Sequence, residues 1–151
     1  MATVALVGGS GNFGYKLLPV LIAADSISKV HTLSRNASDA STAGKMEHFQ
    51  VDYTDATSLE NALKGCNVFI NVMGTNGDHL QNKVNLVDAA ARVGVKIYIP
   101  RCVFPQSLIS YCSEFGVDVH VDSEFIRHSM WEGKKAHDTY AESKGLKVIS
   151  I

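Results

Sequence analysis

The sequence predicts an α/β fold: a doubly wound parallel sheet of about six strands with helices on both faces. Three observations point there. Short apolar, β-branched runs alternate with stretches of helical periodicity along the chain. The first such run, "VALV", passes straight into a turn carrying Gly8, Gly11 and Gly14, and then into a helical pattern. Internal repeats, low-complexity tracts and linkers are absent, so residues 1–151 read as one domain.

Thr3 to Val7 is apolar on both faces, as a buried parallel strand must be. A helix is expected from Phe13 to Ala24, with Phe13, Leu17, Leu18 and Leu21 on one face; Pro19 inside it removes one backbone donor and should kink it near Tyr15. Lys29 to Leu33 forms a second strand, Ser34 to Gly44 a polar loop, and Glu47 to Val51 a third strand. Thr54 to Gly65 starts with Thr/Asp capping residues and stops at glycine, which marks a helix. Val68 to Val72 is the fourth strand. Leu80, Val84, Val87, Ala90 and Ala91 make a helical stripe that ends at Gly94. Lys96 to Ile99 is the fifth strand, Met130 to Lys144 a long helix stopped by Gly145, and Val148 to Ile151 a sixth strand. The chain ends inside that strand, so it reads as part of a longer protein.

Composition excludes several classes. A net charge of -1 gives no electrostatic case for nucleic acid or an anionic membrane. No apolar run approaches the ~20 residues of a membrane helix. Met1-Ala2-Thr3 runs directly into a strand and leaves no room for a signal peptide, so a cytoplasmic protein is expected. Cys66, Cys102 and Cys112 lack metal-ligand spacing and read as reduced thiols, and the scattered histidines suggest no metal site.

The glycine turn carries the chemistry. It follows a strand and opens a helix, the context a dinucleotide-binding turn needs. Gly8 permits the tight turn, Gly11 lets backbone approach a pyrophosphate, and Gly14 lets the helix pack closely on the strand. The N–H groups and positive dipole end of that helix face the phosphates. Ser10, Asn12 and Phe13 belong to the same candidate site. At the end of the second strand the sequence reads "TLSRNAS", with Arg35 and no acid before Asp39. A guanidinium pairs bidentately with phosphate, so Arg35 favours NADPH over NADH.

Taken together, "VALVGGSGNFG", "LSR", "VDYTDATSLENALKG", "VNLVDAAARVGVKIYIP" and "SEFGVD" resemble the NmrA-like and isoflavone reductase-like group of atypical short-chain dehydrogenases, over nearly the whole chain. The resemblance implies a Rossmann fold that binds NADP(H), of which this chain is about the N-terminal half, truncated before the smaller C-terminal substrate region. It also implies reduction of phenylpropanoid-type or, as in fungal members, unassigned small-molecule substrates. By the same resemblance Asp52 and Tyr53 line the adenine, and Met73 and Gly74 lie beside the adenosine ribose. In "MWEGKKAHDTYAESKG", Trp131 and Tyr140 set a register in which Lys134 matches the family's catalytic lysine, with Lys135 as the adjacent fallback. Such a lysine acts as a general acid–base or polarises the substrate.

Two features complicate that reading. Tyr140-Ala-Glu-Ser-Lys144 is a YxxxK, the signature of the standard short-chain dehydrogenases, but Lys144 falls roughly 15 Å along the helix from Lys134, toward the wrong sheet edge. Both residues are expected to be structural. Arg101 to Cys112 separates "YIP" from "SEFG", which the family joins directly; the segment reads as a translated intron or as a lineage-specific loop. Three functions stay open: an NADPH-dependent reductase, an NmrA-type dinucleotide sensor acting on a protein partner, and an inactive fragment.

Overall fold

A computed structural model describes residues 1–36, 44–74, 79–100 and 129–149; the side chains of 79–80 and 129–134 fall outside that description. Six strands form one sheet in the order β3-β2-β1-β4-β5-β6. They are β1 (Ala2–Val7), β2 (Ile27–Ser34), β3 (Met46–Gln50), β4 (Val68–Asn71), β5 (Ile97–Pro100) and β6 (Lys147–Val148). Every pairing is parallel. The helices are α1 (Asn12–Ala23), α2 (Ala56–Leu63), α3 (His79–Arg92) and α4 (Ser129–Ser143).

The strand order is that of the Rossmann fold, and chain direction explains which face each helix covers. From β1 the chain steps outward to β2 through α1. From β3 it crosses back over the sheet to β4 through α2 and then steps the opposite way. A crossover of constant hand in the opposite direction puts its helix on the other face. Accordingly Leu17, Leu18, Leu21 and Ile22 of α1 pack on Val4, Leu6, Val30, Ile70 and Val72. On the opposite face α2, α3 and α4 bury Leu59, Leu63, Leu86, Val87 and Ala141 with Ala5, Val7, Leu33, Phe69 and Tyr98 of the sheet.

Several expectations shift. Phe13 is not part of the packed face of α1: it lies in the first turn, past the end of β1, and stays 45% exposed. Ile22 takes the fourth place. The helix itself runs Asn12–Ala23, one residue earlier at each end than expected, with Pro19 inside it as expected. The buried stripe of α3 is Leu86, Val87, Ala89 and Ala90, because the helix is wedged between the sheet and its neighbouring helices. Asp55 caps α2, its side chain accepting from Thr57 N–H at 2.9 Å. Residues 101–128, which include the Arg101–Cys112 segment and the SEFG loop, lie outside the described residues.

Candidate functional site

Parallel strands place all their carboxyl ends on one edge, and the candidate cofactor residues gather there. Gly8 follows β1, Arg35 follows β2, Asp52 and Tyr53 follow β3, and Met73 and Gly74 follow β4. Helices leave β1 and β4 toward opposite faces, which opens a crevice between those strands.

The glycine turn is built by close backbone approach. Gly8 has φ +83, and a Cβ there would lie 2.9 Å from Val72 C and 3.0 Å from Met73 N. A Cβ on Gly14 would collide with the Gly8 carbonyl and lie 2.6 Å from Gly9 Cα. Gly11 is different: its Cβ would meet only Gly8 O, at 3.3 Å. Gly11 also caps α1 without a side-chain hydrogen bond, and the first turn of α1 has no acidic residue. The exposed turn, Ser10 to Phe13, thus surrounds a helix N-terminus suited to an anion.

Arg35, Asp52 and Tyr53 come together with Gln50, Val51, Thr54, Gln81 and Asn82 around a cleft of about 920 Å³. Asp52 Oδ1 accepts from the Thr54 hydroxyl at 2.7 Å and from the Thr54 N–H at 2.8 Å, bonds that hold its carboxyl below the usual range. Tyr53 is buried, which raises its phenol against an opposing pull from the Arg35 charge. Asn85 of α3 donates to the Tyr53 carbonyl at 2.8 Å and ties that helix to the β3 end. Gln50, Gln81 and Asn82 carried no signal in the sequence. Gln50 is the last residue of β3, and Gln81 and Asn82 reach the cleft because the start of α3 lies beside that strand end.

Lys134 lies in the second turn of α4, with its side chain outside the described residues; Lys135 is exposed. The YxxxK pair is engaged elsewhere. Tyr140 donates to Asp88 Oδ1 at 2.7 Å, and Lys144 Nζ lies 3.2 Å from the same oxygen. Burial alone would raise Asp88, but these bonds outweigh it and hold the carboxyl low. Lys144 follows the end of α4 and precedes β6, so it stands at the amino edge of the sheet.

A third cluster looks reactive on paper. Cys66 Sγ lies 3.4 Å from His31 Nδ1, and His31 Nε2 is 3.8 Å from Glu47. Yet His31 Nδ1 lies 2.8 Å from the Ala62 carbonyl, so it donates there and cannot take the thiol proton. Burial, with Glu47 adding to it, pushes Cys66 up to about 12. The group is inert packing. Among the described residues no cluster of three or more His, Cys, Asp or Glu could hold a metal, and no helix is long and apolar enough to cross a membrane.

The NmrA-like family matches residues 1–150. The chain belongs to the NmrA-like family. No curated protein matches it in sequence. It is similar in structure to a Citrobacter sp. triphenylmethane reductase complexed with NADP(H) (TM-score 0.72, 20% identity, 98% of this chain and 48% of that one). It is also similar to the Escherichia coli NADPH-dependent quinone oxidoreductase QOR2 complexed with NADPH (TM-score 0.75, 17% identity, 97% and 47%). A Bacillus cereus UDP-N-acetylglucosamine 4-epimerase is a further neighbour (TM-score 0.72, 21% identity, 99% and 52%). At these identities the likeness is one of fold, and the chain spans about half the length of these three proteins.

Proposed function

We propose that this chain forms the dinucleotide-binding part of an NADPH-dependent reductase of the isoflavone reductase-like kind, acting on a small organic substrate. The observation that carries this reading is the pairing of an uncapped helix N-terminus behind a glycine turn with Arg35 on a cleft at the neighbouring strand ends. Family membership and two structural neighbours, a reductase and a quinone oxidoreductase complexed with NADP(H) and NADPH, support it.

The residues fit the cofactor. The N–H groups of Asn12, Phe13 and Gly14 would meet the pyrophosphate, and Arg35 the 2′-phosphate. Asp52 and Tyr53 would flank the adenine, with Met73 and Gly74 beside the ribose. When bound, NADPH supplies a hydride. Lys134 is assigned the proton that the substrate takes up or the polarisation of its acceptor oxygen.

Calorimetric titration of NADPH and NADH tests the assignment. Wild type should prefer NADPH, and Arg35→Ala should lose ~1.5–3 kcal/mol for NADPH alone. Equal losses for both cofactors would remove Arg35 from the phosphate site. Binding of neither cofactor by wild type would end the dinucleotide reading, and binding without turnover of any carbonyl or quinone substrate would count against the reductase and leave the sensor and the inactive fragment.

A further inference from the structure

Three polar side chains sit deep in the core beneath α3 and α4. Asn71 is 1% exposed, Tyr98 0% and His137 8%. They are bonded in series. Asn71 Oδ1 accepts from the Met73 N–H at 3.1 Å. Asn71 Nδ2 donates to the Tyr98 hydroxyl at 3.2 Å, and that hydroxyl lies 2.9 Å from His137 Nε2. The Tyr98 ring stacks on Phe69 at 5.0 Å and meets the His137 ring edge-on at 5.7 Å.

Burying such groups costs free energy even when they are bonded, and the strand "VFIN" would accept an apolar residue at position 71. What the series holds is the backbone just past β4. Val72 N–H makes the last ladder bond, to Val7 O at 3.0 Å. The next N–H, at Met73, is held by the Asn71 side chain instead. That Met73 nitrogen is one of the atoms a Cβ on Gly8 would strike. An N–H can only donate, so the Met73 bond fixes which end of the Asn71 amide faces it. The other end must then face Tyr98. At its far end the series is anchored on α4, one turn after Lys134.

We propose that Asn71, Tyr98 and His137 are positioning residues: a buried relay that sets the Val72–Met73 wall of the glycine turn against the helix carrying Lys134. This rests on the dinucleotide reading for its effect on affinity, but not for its effect on Met73. His137 Nδ1 is buried with no hydrogen-bond partner among the described residues, which separates position from stability. Replacing the ring by an apolar side chain removes an unsatisfied group but also takes the Nε2 acceptor from the buried Tyr98 hydroxyl, so its two effects on stability oppose each other.

The experiment uses the 151-residue chain. His137→Leu should change the Tm little, the two effects offsetting, yet weaken NADPH binding roughly fivefold to tenfold, the scale of one lost hydrogen bond. His137→Gln, whose amide reaches the place of Nε2, should restore near-wild-type affinity. Without ligand, Tyr98→Phe should shift the Met73 amide resonance and speed its hydrogen exchange, while Val30 in β2 stays unchanged. Wild-type affinity in His137→Leu overturns the relay. So does an unmoved Met73 amide in Tyr98→Phe or, should that variant not fold, in His137→Leu. If wild type binds no dinucleotide, the functional reading fails, and the Met73 amide alone decides the relay.

Discussion

A Cβ on Gly14 would strike the Gly8 carbonyl, whereas one on Gly11 would touch only that oxygen, at 3.3 Å, from a backbone at φ -76 and ψ 165 that any residue adopts. These two glycines should therefore fail differently. Gly14→Ala must push α1 off β1 and should cost ~1–3 kcal/mol, seen as a lower midpoint in urea denaturation. Gly11→Val should leave that midpoint nearly unchanged and abolish dinucleotide binding, because its side chain would fill the space in front of the helix N-terminus. Retained affinity in Gly11→Val would show that the turn does not hold the pyrophosphate. The packing role of Gly14 was legible in the sequence, since glycine spacing after a strand reports backbone approach directly. Asn71 and His137 were not legible. A polar residue at a strand end or in a helix looks solvated until the neighbouring elements are known to bury it. Gln81 and Asn82 were hidden for the same reason, their cleft being made by elements distant in sequence.

At the scale of elements, each strand and helix expected from the pattern is present among the described residues, but the ends differ. A strand ends where its neighbour stops pairing, not where its own apolar run stops. β3 starts at Met46 because Met46 sits opposite Val30, and the described part of β6 is Lys147–Val148, opposite Ile97 and Tyr98. The YxxxK of α4 shows how an element's direction can overrule a motif. Because α4 returns to the amino edge, Tyr140 and Lys144 meet Asp88 of α3 and fasten two helices together. Tyr140→Phe should lower stability by ~1–2 kcal/mol, as expected for a half-buried hydrogen bond to a carboxylate, and leave NADPH affinity unchanged. Lost affinity with unchanged stability would return Tyr140 to the active site.

Across the whole molecule the sheet divides two unequal cores: α1 alone among the described helices covers one face, and α2, α3 and α4 cover the other. Alternation of strands and helices made the parallel sheet readable in advance. The larger core also contains the group that couples fold to pH. Burial, with a smaller contribution from Lys83 of α3, lowers His137 from 6.5 to about 4. Between those values the unfolded chain binds a proton that the folded chain refuses. The stabilisation is complete above about pH 6.5 and is lost as pH falls toward about 4, reaching about 3 kcal/mol for this one group. Glu47, Asp52 and Asp88, whose carboxyls are held low, lose stability in the same direction as they are protonated. Those losses are shared by wild type and His137→Leu, so they cancel in the difference between the two. Unfolding free energies measured from pH 7 to pH 4 should therefore converge on neutral values for the pair and diverge in acid, with wild type falling further. Parallel curves over that range would mean that His137 takes up its proton as readily in the folded protein as in the unfolded chain, and that its place between Tyr98 and α3 is not dry.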